Sequence, residues 1–77
     1  MDVHALRSAL RATSVADGYY WIEGVHEPAP TPPDFVYLRG DGPGAWEVGT
    51  YERGERHPLA RGLDEGEACR RMLRLLT

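Results

Sequence analysis

The sequence predicts a single α+β domain over residues 1–77, ordered helix, three-stranded antiparallel sheet, helix, with both helices on one face of the sheet. Three observations predict it. Apolar residues recur at helical spacing at each end of the chain, aromatic and β-branched residues cluster in three short central runs, and Gly- or Pro-rich segments separate those runs. A chain of 77 residues buries only roughly 60–65% of the surface its unfolded form would expose, which leaves room for one layer of helix on one small sheet and none for a deep catalytic cleft.

Asp2 is placed as the N-cap of a first helix whose stripe is Val3, Leu6, Ala9 and Leu10, with Arg7 and Arg11 facing out. The helix frays near Thr13-Ser14, and Asp17-Gly18 supplies a turn. Tyr19 to Val25 reads as the first strand, with Tyr20 and Ile22 on one face and Tyr19 and Trp21 on the other. From His26 to Pro33 the chain holds four prolines in six residues, which removes backbone donors and favours extended geometry in a loop. Asp34 to Arg39 is the second strand, with Val36 and Leu38 opposed to Phe35 and Tyr37, and Gly40 to Gly44 is a turn closing a hairpin onto the third, Ala45 to Gly54. In that third strand Trp46, Val48 and Thr50 oppose Glu47, Gly49 and Tyr51. Residues 55–62 read as a polar connection that tucks Leu59 into the core. Asp64 then opens the last helix, with Glu67 completing a capping-box pattern and Cys69, Met72, Leu73 and Leu76 at helical spacing.

Composition narrows the function classes. Apolar content of 42% and charged content of 27% are ordinary globular values, which argues against wholesale disorder. Cys69 is the one cysteine, so neither an intramolecular disulfide nor a thiol-rich zinc site is expected, and a reducing cytoplasmic setting follows. No basic segment precedes an apolar run, and no apolar stretch approaches the roughly 20 residues that span a bilayer, so neither export nor membrane insertion is expected. All nine cations are arginine and Lys, Asn and Gln are absent, which we read as the codon signature of a GC-rich genome. The formal net charge is −3, and between Ala12 and Leu38 there is no arginine while Asp17, Glu23, Glu27 and Asp34 are present. A one-signed field of this kind attracts cationic partners and repels phosphate.

Candidate catalytic groups each carry a plainer reading. His4, His26 and His57 are far apart, with no neighbouring ligand at metal spacing, so no metal site and no cofactor are expected, and His26 reads as a surface histidine. Glu52 and Glu55 beside Arg53 and Arg56 could compose an acid/base pair with an anion clamp, but alternating charge at a strand end reads as exposed ion pairs. Cys69 lies on an apolar stripe and reads as core. The glycines from Gly40 lack the Lys-Ser or Lys-Thr and the helix of a phosphate loop. No enzymatic activity is expected. The seven aromatic residues exceed what one thin core layer needs, so about half must lie on the uncovered sheet face, where they would form a protein-binding surface. Periodicity leaves open which face that is.

Two family resemblances bear on function. The order helix, three strands, helix resembles double-stranded RNA-binding domains, which grip phosphate with a lysine-rich start of their second helix. Here Asp64-Glu65-Gly66-Glu67 stands at that place, so no nucleic-acid binding is expected. From Phe35 to Leu76, the succession Val36-Tyr37-Leu38, Trp46-Glu47-Val48, Tyr51-Glu52-Arg53-Gly54 and Asp64-Glu65-Gly66-Glu67-Ala68-Cys69-Arg70 resembles small actinobacterial immunity-type proteins of polymorphic toxin systems. That resemblance implies a cytosolic immunity partner of a secreted toxin or a module without assigned function, and the chain departs from the family at Gly49-Thr50, where bulkier residues are usual, and in the proline-rich loop; we expect the immunity role, acting by occlusion. The contact residues expected on this reading are Tyr19, Trp21, Glu23, Glu27 and Asp34, meeting a basic toxin domain. The alternative is a structural or regulatory homodimer pairing through its open sheet face.

Overall fold

The computed structural model describes all residues from Met1 to Thr77. Two helices and a four-stranded mixed sheet make up the domain, in the order α1 (Val3–Ala12), β1 (Tyr20–Ile22), β2 (Asp34–Gly40), β3 (Trp46–Glu52), β4 (Glu55–Leu63) and α2 (Glu65–Leu76). The α+β class and the terminal helices agree with the sequence expectation. The three antiparallel strands do not: there are four, arranged β1-β2-β3-β4, and β1 runs parallel to β2.

Helix α1 begins where the Asp2 carboxylate accepts the Ala5 N–H at 2.8 Å, satisfying one of the donors that a helix start leaves free. A second comes from across the fold: the Glu65 carboxylate accepts the Val3 N–H at 2.9 Å and ties the starts of the two helices together. Asp64 caps α2 through the Glu67 N–H at 2.8 Å. The reciprocal half of the expected capping box is replaced by an ion pair, because Glu67 turns along the helix to Arg70 at 3.6 Å.

Strand β1 is shorter than the sequence suggests because the chain reverses at once. Val25 and His26 both donate to the Ile22 carbonyl, Ile22 donates back to His26, and Gly24 takes φ +77 to allow it. The proline-rich segment carries the chain back, and a second reversal enters β2. Two reversals restore the original direction, which is why β1 and β2 end parallel. His26 does not lie on the surface as expected. It is 9% exposed, stacked on Tyr20 at 4.2 Å, with Nε2 at 2.9 Å from the Asp17 carbonyl, and it fastens this reversal to the sheet.

Strand β4 occupies the segment read as a connection. Arg53 and Gly54 both take positive φ, 52° and 84°, forming the two-residue turn whose twist suits a hairpin. The strand it launches is an edge strand exposed over most of its length, so it carries Pro58 and charged residues at no packing cost. Its pairing with β3 slips twice. One slip leaves Leu59 without a partner opposite, 57% exposed and not in the core where the sequence placed it.

The core lies between the helices and one sheet face. Val3, Leu6 and Leu10 of α1 and Ala68, Cys69 and Met72 of α2 meet Tyr20, Ile22, Leu38 and Val48 of the sheet. Both helices thus cover the face that carries the even-numbered residues of β1, β2 and β3. Burial pushes the Cys69 thiol up to about 11, as suits a core residue.

Candidate interaction surface

With the helices on the Tyr20–Ile22 side, the opposite face of the sheet is uncovered. Trp21 of β1, Phe35, Tyr37 and Arg39 of β2, Glu47, Gly49 and Tyr51 of β3, and Arg56 and Arg61 of β4 belong to it. The register sets these side by side: Trp21 beside Tyr37, Phe35 beside Tyr51, Tyr37 beside Gly49, Arg39 beside Glu47 and Tyr51 beside Arg56.

Three rings form a row across the strands. Trp21 stacks on Phe35 at 5.5 Å between centroids, and Phe35 on Tyr51 at 5.2 Å with planes 2° apart. Offset stacks of this kind add about 0.5–1.5 kcal/mol each beyond burial. The row floors a groove of about 340 Å³, lined also by Glu23, Thr31, Tyr37, Arg39 and Arg56. Thr31 comes from the proline-rich segment, so the returning chain forms one wall.

Beside the aromatic row sits a buried polar cluster centred on Glu47, whose side chain is 1% exposed. Tyr37 donates its hydroxyl to Glu47 Oε2 at 2.6 Å, Arg61 Nε donates to Oε1 at 2.9 Å, and Arg56 Nε stands 3.7 Å from Oε2. Burial, reinforced by the bond to Glu47, raises the Tyr37 phenol well above its ordinary value. Two local devices build this cluster. Opposite Glu47, β4 carries two residues, Arg61 and Gly62, and Gly62 takes φ +66, so a bulge aims Arg61 at the carboxylate. At Gly49 a Cβ would stand 2.5 Å from the Tyr37 hydroxyl, so only glycine lets the phenol lie over β3 and reach Glu47.

The structure divides the residues singled out by sequence. Trp21 and Glu23 line the groove. Glu23 accepts the Gly40 N–H at 3.2 Å, which fixes it at the end of β2. Asp34 lies at the other end of that seven-residue strand, roughly 20 Å away at 3.3 Å per residue, with its carboxylate 3.3 Å from the Arg53 N–H. Glu27 lies exposed on the tight reversal, accepting the Gly24 N–H at 2.8 Å. Tyr19 is 63% exposed and lines a shallow depression with Asp34, Phe35 and Tyr51, continuous with the groove through the last two. The acidic stretch is therefore spread around the rim and does not form one patch.

Sequence reasoning missed Phe35, Tyr51, Arg39, Arg56 and the Glu47 cluster as one surface. The alternation in β2 and β3 pointed to their common face; the strand order that brings Arg56 beside Tyr51 had no local signal. Glu52, Arg53, Glu55 and His57 do gather with Asp34 around a polar depression at the β3-β4 turn. The His57–Glu55 approach is 3.8 Å between side chains 49% and 79% exposed, an arrangement that water screens. No group of three His, Cys, Asp or Glu side chains is placed to hold a metal ion, and no helix is long and apolar enough to cross a membrane.

No protein-family model matches the chain, and no curated protein or solved structure matches it.

Proposed function

We propose that this chain is a protein-interaction domain that binds through the uncovered face of its sheet, and that its biological role is that of an immunity partner occluding a toxin. The observation that carries the binding role is the aromatic row Trp21–Phe35–Tyr51 along an open groove. Aromatic residues on a rigid, partly exposed face supply most of the energy of protein interfaces because they bury large area at little entropic cost. The Glu47 cluster beside them holds Tyr37 by hydrogen bonding on the same face, which limits the ordering lost on binding. The toxin-partner role rests on the resemblance of the Phe35–Leu76 segment to immunity-type proteins.

Nucleic acid fits this face less well. Phe35 is sandwiched between its neighbours and is 9% exposed, so the row presents ring edges where base stacking needs free ring faces.

The test is co-expression with the toxic C-terminal domain of a secreted protein encoded beside this gene. Growth is expected to be restored by the wild-type chain and lost with Trp21→Ala or Tyr51→Ala, each folded by circular dichroism. Absence of rescue together with absence of a complex on size exclusion would sink the reading. A concentration-dependent dimer abolished by the same two substitutions would favour the homodimer instead.

A further inference from the structure

The uncovered face is cationic, although the chain as a whole is acidic. Two guanidiniums, those of Arg56 and Arg61, reach the carboxylate of Glu47, which is 1% exposed, and Arg39 stands opposite Glu47 in the β2–β3 register. Both Glu47 oxygens are taken, one by Arg61 and one by the Tyr37 hydroxyl. Arg56 has only the 3.7 Å approach to that already occupied carboxylate, and its side chain is 39% exposed. Arg39 makes no ion pair, although it lines the groove. Glu23, the one carboxylate among the groove residues, is engaged by the Gly40 N–H. The groove lining thus carries two arginines against one carboxylate, at the edge of an aromatic floor.

We propose that the groove reads a carboxylate: Arg39 and Arg56 clasp an aspartate or glutamate side chain of the protein partner while an adjacent apolar partner residue rests against the Trp21–Phe35–Tyr51 row. This rests on the protein-binding reading above and reverses the sign of the contact expected from the acidic segment. A guanidinium pair suits the planar carboxylate because each arginine donates in a fixed fork, and both arginines line the same groove. The fit is to a side chain and not to an extended anionic polymer, since Glu23 in the groove lining repels a continuous run of negative charge.

The experiment is a heteronuclear NMR titration of the full chain with three capped dipeptides, acetyl-Phe-Glu-amide, acetyl-Phe-Gln-amide and acetyl-Phe-Arg-amide, and with inorganic phosphate. The Glu peptide is expected to shift the Arg39 and Arg56 Nε–H and Trp21 indole signals saturably with a millimolar Kd, about tenfold tighter than the Gln peptide. Arg39→Gln and Arg56→Gln each remove that preference and leave the backbone spectrum folded, since Arg39 makes no ion pair and Glu47 keeps its hydrogen bonds to Tyr37 and Arg61 without Arg56. No saturable shift below about 10 mM, or equal response to all three peptides, overturns the carboxylate site. Tighter saturation by phosphate than by the Glu peptide also overturns it, in favour of a phosphate site. Failure of the broader binding reading looks different: there Trp21→Ala leaves complex formation in the co-expression test intact, whatever the arginine variants do.

Discussion

Gly49→Ala probes the link between the Tyr37–Glu47 cluster and the sheet beneath it. The new Cβ would lie 2.5 Å from the His57 carbonyl oxygen on one side and 2.5 Å from the Tyr37 hydroxyl on the other, with Tyr37 Cζ at 2.7 Å. Ordinary contact begins near 3.4 Å, so both neighbours would have to retreat, and one is backbone of a paired strand. If Tyr37 yields, its hydroxyl leaves the Glu47 carboxylate, a bond to a charged group contributing about 1.5–3 kcal/mol. If it stays, overpacking costs about 1–3 kcal/mol. Glycine's backbone entropy offsets roughly 0.5–1 kcal/mol of either. The net expectation is a loss of about 0.5–2.5 kcal/mol from a total of about 4–12 kcal/mol for a domain of this size. At about 4–8 °C per kcal/mol, Tm falls by roughly 2–20 °C. Urea and thermal unfolding followed by circular dichroism measure it. A double-mutant cycle with Tyr37→Leu is expected to show coupling of about 1 kcal/mol or more, because the phenol is one of the two clashing neighbours. Stability within about 0.5 kcal/mol of wild type, or additive effects in the cycle, would refute the role given to Gly49.

Cys69 is expected to resist thiol reagents at pH 8 until urea unfolds the chain, because burial holds it near 11 as a neutral thiol. Its ordinary value is 9.0, so the unfolded chain releases this proton first; the associated stability is complete below about pH 9 and lost as pH rises toward 11. Tyr37, also raised, acts in the same direction at still higher pH, and a urea midpoint that holds or rises from pH 8 to 11 would contradict both. Asp64→Ala removes the cap of α2 and is expected to cost about 1 kcal/mol, read as a Tm drop of about 4–8 °C. Leu59→Ser is expected to change stability by less than about 0.5 kcal/mol in the same unfolding assay, because the residue is exposed at a bulge; a loss of 2 kcal/mol or more, the cost of a core leucine, would return Leu59 to the core.

The elements legible in the sequence are those with local causes. Asp2 and Asp64 announced both helix starts, the stripes Val3-Leu6-Leu10 and Cys69-Met72 announced the buried faces, and alternation in β2 and β3 sorted their side chains correctly into two sets. β4 was hidden because an edge strand need not alternate: with little to bury, its sequence is free to be polar, and Pro58 is tolerated where no further strand pairs. The parallel pairing of β1 was hidden because proline richness marks an extended connection without saying how many times it reverses. Of the expected contact residues, Trp21 and Glu23 line the groove, Tyr19 and Asp34 border the neighbouring depression, and Glu27 sits on the reversal after β1.

By itself, then, the sequence determined a one-domain α+β chain, two amphipathic helices, and two sets of strand residues of which one had to remain uncovered, since helix caps, 3.6-residue stripes and two-residue alternation are properties of neighbouring positions. Only the tertiary structure decided which set is open and what chemistry it has. Residues 14 positions apart, Glu47 and Arg61, meet because a bulge lengthens β4 there, and Tyr37 reaches the same carboxylate because Gly49 leaves space beneath it. Strand order and register place charges side by side regardless of their separation along the chain, so an acidic sequence folds to present a face of arginines beside stacked rings.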